Sequence, residues 1–302
     1  MTVGASSVSV SMAPAIGANS VDVLRGAFLV GIFGFLGAVF QGANVATGIG
    51  EEIVDGPLTF EIALVSLAVI GLCIGLGILF EHSIPAAFST VGSVAGAGMA
   101  AGYAPKTTYW TFVLVAWIAT GVLAIVLGLV FSKTFAWLLD QTTISTGSLD
   151  TIILTIGIVF SFVGGWSQVG LAVGPLVGVA REFGVGLIPL LVFGGLGILL
   201  GSWLKSPVML NVVGRQYAAL GPDVSLSVLV TAIPLVQIVA NVLGVPISYN
   251  HIIITCIVGC GIAGSGTGVD SRKFAGTVAS WILTLIGSLS VAYGLYWLLM
   301  MY

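Results

Sequence analysis

Charge is scarce in this chain. Its 302 residues include 8 Lys and Arg and 11 Asp and Glu, so 6% are charged, where a soluble domain carries roughly 25%. No water-soluble surface can be built from so few ionic side chains. Basic residues never cluster into a patch, which argues against nucleic acid as a partner. Cysteine is nearly missing. Cys73, Cys256 and Cys260 all lie in apolar runs, and their spacing matches no metal motif and no disulfide framework. Cys256 and Cys260 share a helix face and read as small buried hydrophobes. The sequence lacks HExxH, GxSxG, paired membrane aspartates and any cysteine cluster. It therefore offers no catalytic constellation, and neither an enzyme nor a bound cofactor or metal is expected. Residues 1–22 lack the basic flank of a signal peptide and read as a flexible N-terminal tail.

What the chain has instead is hydrophobicity, at 58% of residues. At about 20 apolar residues per crossing, the length allows about 8 to 11 membrane segments. The reading is an all-α, multi-pass protein of a cell membrane, plasma or inner, with the lipid bilayer as its first partner. Apolar runs occupy 24–43, 58–80, 84–102, 108–132, 151–170, 185–204, 224–244, 246–264 and 274–300. Those at 84–102 and 246–264 are short and glycine-rich, and they begin at Ile84-Pro85 and Val245-Pro246. They read as re-entrant or broken helices, which survive at membrane depth only under protein cover or beside a water-filled cavity.

The chain repeats itself. Gln41 to Gly50, QGANVATGIG, is answered about 124 residues later by Gly165 to Pro175, GWSQVGLAVGP. Gly92 to Ala100 is answered by Thr255 to Ala263, and Trp117-Ile118 by Trp281-Ile282, at offsets of about 163 and 164. Two homologous halves follow, 23–132 and 151–302, joined by a polar loop at 133–150. The second half carries an extra segment of about 40 residues, placed near 205–244 by the change in offset. A second polar loop is expected from Lys205 to Asp223. An inverted relation of the halves is expected if each contains an odd number of crossings.

Paired glycine-rich breaks in the two halves of a membrane chain mark a transporter's binding site. Free N–H groups at a helix start, with the positive end of the helix dipole, hold an oxyanion without a buried cation. Ser, Thr and Asn add side-chain donors. The candidate substrate-binding set is Gly42, Ala43, Asn44 and Thr47 in the first half, with Gly165, Ser167, Gln168, Ser248, Tyr249 and Asn250 in the second. Ser89 and Thr90 are weaker members. Each such residue can also be plain interhelical glue. Glu51, Glu52 and Asp55 read either as a vestibule or as a solvated loop, and Arg181-Glu182 as a loop or interface pair.

The paired motifs resemble the inorganic phosphate transporter (PiT) family. That family carries Gly-Ala-Asn-Asp-Val-Ala-Asn-Ala-x-Gly in each half, followed by Pro-x-Ser-Thr-Thr-His and a glycine-rich helix. Here Gly165 to Pro175 tracks the second signature, and Pro246-Ile247-Ser248-Tyr249-Asn250-His251 tracks the histidine segment. In the first half, Phe88 falls where the histidine would be. The resemblance covers nearly the whole chain after residue 23.

The departures are specific. The signature aspartates become Asn44 and Gln168, and the second asparagines become Thr47 and Leu171. Loss of the aspartates is similar to the family's sulfate permease branch. The resemblance implies a secondary transporter that imports a tetrahedral oxyanion, sulfate favoured over phosphate. It implies a co-transported cation, H⁺ favoured over Na⁺, because a hard cation prefers anionic oxygens. His251 becomes the coupling candidate, with a hydrogen-bonded structural histidine as the other reading. The alternatives are a sodium- or proton-coupled phosphate symporter and, outside the carriers, an anion channel or a membrane-anchoring subunit. A homodimer is common in such carriers, and no motif here decides it.

Overall fold

The computed structural model describes residues 1–215, 220–263 and 270–301, apart from the Gln41 side chain. An N-terminal helical segment, Gly4–Met12, runs into α1 (Ala13–Gly17). The first half continues with α2 (Val23–Gln41), α3 (Ala43–Glu52), α4 (Phe60–Leu79), α5 (Ala86–Ala100) and α6 (Thr107–Gln141). The second half holds α7 (Thr146–Val173), α8 (Val177–Glu182), α9 (Leu187–Arg215), α10 (Pro222–Val236, extended by a π-helical turn, Gln237–Val242), α11 (Tyr249–Ile262) and α12 (Ser271–Met301). Among the described residues, seven helices are long and apolar enough to cross a membrane; α5 and α11 are shorter. The nine apolar runs of the sequence correspond to these seven spans and two short helices.

The short helices form the centre. Nearly every residue of α5 and α11 is buried, and each packs on a long helix of the opposite half, α5 on α12 and α11 on α6. Glycines permit this closeness. A Cβ on Gly96 would overlap the Leu289 backbone of α12, and one on Gly259 would overlap the Ile125 backbone of α6. The exchange of partners is reciprocal, as a two-fold relation between repeats requires. Helices α4, α5 and α6 begin at residues 60, 86 and 107, and α10, α11 and α12 at 222, 249 and 271. The near-constant spacing makes α10 the counterpart of α4, so the additional element of the second half is α9 and lies mostly upstream of 205–244.

Several expectations are corrected. Residues 3–16 are not a flexible tail: they are helical and almost all buried between α9, α7 and α2. Ser9 and Ser11 are bonded inside the protein, while the buried Ser7 hydroxyl has no partner among the described residues. Ser9 donates to the Ala5 carbonyl at 2.7 Å, Ser11 Oγ lies 2.9 Å from Ser161 Oγ, and Ser225 donates to the Pro14 carbonyl at 2.8 Å. Small hydroxyl side chains bonded in this way pack as tightly as alanine. The polar interval 133–150 is mostly helix, because α6 runs to Gln141 and only 142–145 connect it to α7. At 1.5 Å per residue α6 is about 52 Å long, well beyond the bilayer core, so Lys133 and Asp140 ride on its protruding end. Lys205 likewise sits on α9, exposed, and not in a loop.

The second break is also misplaced in the sequence reading. The first half does interrupt at Gly42, between α2 and α3. Helix α7 passes straight through Gly165, Trp166 and Ser167, and ends only at Val173, before Gly174-Pro175. Gly165 serves a different purpose. A Cβ there would overlap the Gly34 carbonyl, and one on Gly37 would overlap the Phe162 carbonyl, so α2 and α7 cross backbone against backbone.

Candidate substrate site

Four elements meet beside this crossing: α3, the middle of α7, the turn after α10, and the start of α11. Gly170 of α7 rests on α3, where an added Cβ would lie 2.6 Å from the Ala46 amide nitrogen. The π-helical turn closes with Gly244 at φ +67, a conformation that favours glycine. The chain then runs extended through Val245-Pro246-Ile247 to Ser248, the N-cap of α11. That N-cap makes no side-chain capping bond, so the first N–H groups of α11 stay free of side-chain acceptors.

Side-chain amides hold the pieces together. Gln168 Nε2 donates to the Ile247 carbonyl at 2.8 Å and to Ser167 Oγ at 3.3 Å. Asn250 Nδ2 donates to the Ile84 carbonyl at 3.0 Å, bringing in the segment that leads to α5. Asn44 Nδ2 donates to the Asn241 carbonyl at 2.7 Å, and Asn241 Nδ2 to Gln237 Oε1 at 2.7 Å. Gln168, Asn250 and Asn44 each face a backbone carbonyl, which can only accept, so their amide nitrogens are committed there and their oxygens are the other end. Six buried polar atoms of this cluster have no hydrogen-bond partner among the described residues: Gln168 Oε1, Asn241 Oδ1, Ser248 Oγ, Tyr249 OH, Asn250 Oδ1 and His251 Nδ1. Buried polar groups are nearly always paired, so such a concentration is a place for ordered water or a polar ligand.

Ser167, Gln168, Ser248, Tyr249 and Asn250 are at most 1% exposed. Tyr249 stacks on Phe160 with ring centroids 4.5 Å apart. Asn44 is exposed and Thr47 half-buried, its hydroxyl donating to the Ala43 carbonyl at 3.1 Å. The cluster is thus closed on the α7 and α11 side and approached from α3. Gly42 and Ala43 sit at its edge, Gly42 with α7 beside it at Val169. Gly165, expected here, faces α2 instead. Ser89 donates to the Ala86 carbonyl at 2.9 Å, and Thr90 to the Leu171 carbonyl at 3.3 Å, tying α5 to α7. Asn241 and Gln237 escaped the sequence reading. Their only signal is a pair of amides four residues apart in an apolar run.

No Asp, Glu, Lys or Arg is buried among the described residues, and no group of three or more His, Cys, Asp and Glu side chains among them is arranged to hold a metal ion. Ionic groups collect at the far end of α3. Arg181 pairs with Glu51, and Lys106 lies 3.4 Å from Glu52 and donates to the Glu51 carbonyl at 2.7 Å. Arg181 is therefore bonded across the halves rather than to Glu182. Glu52, Asp55, Lys106 and Tyr109 line an open cleft of about 610 Å³.

A bundle with duplicated halves, interior short helices and an uncharged polar cluster defines a multi-pass membrane transporter. The profile of the Phosphate transporter family matches residues 3–157 and again 139–292, and the chain belongs to that family. It is 26% identical over 300 residues to the sulfate permease CysP of Bacillus subtilis (strain 168), covering 97% of this chain and 83% of that one. It is 29% identical over 133 residues to the human sodium-dependent phosphate transporter 1, covering 41% of this chain and 19% of that one. A solved sodium-dependent phosphate transporter shares the fold, with TM-score 0.88 and 21% identity, over 99% of this chain and 96% of that one.

Proposed function

We propose that this transporter imports a tetrahedral oxyanion, sulfate ahead of phosphate, together with protons. The observation that carries the reading is the cluster of unpartnered, uncharged polar atoms on α7, on α11 and at the end of α10. Ser248, Tyr249 and the free N–H groups opening α11 supply donors for the anion. The oxygens of Gln168, Asn241 and Asn250 are uncharged acceptors and add no negative charge beside the anion. Carboxylates would repel an obligate dianion, and Asn44 and Gln168 stand where the resemblance expects aspartates. The similarity to a sulfate permease along 97% of the chain supports the same choice.

Coupling follows from the charge. Moving a dianion inward against about 100 mV costs roughly 4.6 kcal/mol, so two or more cations must accompany a concentrative import. Neutral amide oxygens hold Na⁺ poorly, and His251, with one free ring nitrogen, is the proton carrier. The second reading is phosphate symport driven by Na⁺ or protons. It is favoured by the same amide oxygens, because phosphate brings its own O–H donor and sulfate brings none.

Proteoliposomes given labelled sulfate or phosphate separate the two. Sulfate uptake driven by an inward pH gradient, indifferent to Na⁺, is expected. Uptake that needs Na⁺ and ignores the pH gradient would defeat the proposal. Ser248→Ala and Tyr249→Phe are each expected to weaken sulfate binding to purified protein about three- to tenfold, the loss of one hydrogen bond.

A further inference from the structure

Trp117 in α6 and Trp281 in α12 occupy matching positions in the two repeats, and each is only 4% exposed. Each indole reaches across to the other repeat. Trp117 Nε1 donates to the Pro246 carbonyl at 2.7 Å, and Trp281 Nε1 donates to the Ser83 carbonyl at 3.3 Å. The acceptors match as well. Pro246 lies two residues before Ser248, the N-cap of α11, and Ser83 lies two residues before Pro85, the N-cap of α5.

The rings form one cluster. Phe88 stacks on Trp117 with centroids 3.9 Å apart, and His251 meets Trp281 edge-on at 5.0 Å. Phe88 and His251, the equivalent residues of α5 and α11, are 6.0 Å apart. A phenyl ring would fill the same space, but it has no N–H; the indole also donates a hydrogen bond from its far edge. Both acceptor carbonyls lie outside the short helices, so neither has an intrahelical donor, and a buried carbonyl needs one. The N–H therefore fixes where the following helix begins and where its N-terminus points.

We propose that Trp117 and Trp281 are positioning residues for transport: through one indole N–H each, the long helix of one repeat holds the entry to the short helix of the other. A shift of either repeat then re-aims the opposite helix start toward the anion, and the two halves cannot move independently. Hydrogen bonds between packed elements can carry coupling of this kind, and the pair supplies one in each direction. The inference rests on the transport reading for its purpose, while its geometry can be tested without any substrate.

Trp117→Phe and Trp281→Phe keep a ring and remove the N–H. Amide hydrogen exchange is followed in lipid nanodiscs with no anion present. Trp117→Phe is expected to speed exchange about tenfold at 247–253 and leave 84–90 unchanged; Trp281→Phe, with the longer bond and the milder change, is expected to do the reverse. In uptake assays, each variant raises the KM for the transported anion more than it lowers the maximal rate. Trp117→His, which retains a ring N–H, recovers part of the protection. Exchange that rises uniformly, or not at all in the opposite repeat, overturns the proposal. So do unchanged KM and rate in a variant whose exchange has shifted. If the wild-type protein carries neither sulfate nor phosphate, yet the two Phe variants show the crossed exchange pattern, the transport reading sinks and the latch stands.

Discussion

Gly165→Ala is expected to remove nearly all folded protein from the membrane. The methyl group would meet the Gly34 carbonyl, which is backbone on a neighbouring span and not the movable tip of a side chain. Overpacking a core costs about 1–3 kcal/mol when neighbours can shift. Here α2 and α7 must separate along a shared crossing that also includes Gly37 against Phe162, so the cost lies at or above the top of that range. Thermal stability of detergent-solubilised protein and membrane yield measure it. Gly71→Ala and Gly75→Ala in α4 are the controls, since nothing lies within 4 Å of a Cβ at either position, and alanine favours the helix by about 1 kcal/mol. If Gly165→Ala folds at wild-type yield and loses only anion binding, the substrate-site role expected from sequence is restored and the packing role fails.

That contrast explains what was readable in the chain and what was not. Apolar runs report burial in lipid directly, so each span and both short helices were legible. The repeats were legible because the glycines of α5 and α11 meet the same backbone obstacle twice, Leu289 in one half and Ile125 in the other. A glycine motif does not say whether the glycine breaks a helix or lets another pass. Gly42 does the first and Gly165 the second, and only the neighbour decides. The first residues of the chain read as a flexible tail, yet the Ser9 and Ser11 hydroxyls return to nearby carbonyls and the segment packs inside. At the site, Ser248, Tyr249 and Asn250 stood out because Pro246 to His251 resembles the family's histidine segment. Gln237 and Asn241 did not, since two amides in a long span read as glue until a π-helical turn and a free oxygen single them out.

Gln168→Asp is expected to change which ion drives transport. Gln168 is fully buried, donates to Ile247 and presents an unpartnered oxygen. Aspartate at this position removes the donor, strands the Ile247 carbonyl and introduces a charge where the described interior holds no cation. A carboxylate at mid-membrane costs about 2.5–3.5 kcal/mol on insertion scales, so proton-driven sulfate uptake is expected to fall about a hundredfold in the absence of sodium. A hard monovalent cation offsets that charge, because it gains the anionic oxygen that the wild-type amide lacks. Added Na⁺ is therefore expected to restore part of the uptake in the variant and none in the wild type, and to favour phosphate, whose monoanionic form is repelled less. Gln168→Asn, shorter but neutral, separates charge from shape and is expected to stay indifferent to sodium. Uptake by the Gln168→Asp variant at the wild-type rate, with no response to Na⁺, would mean that this side chain never meets the transported ions and that the cluster around α11 serves only to bind the helices together.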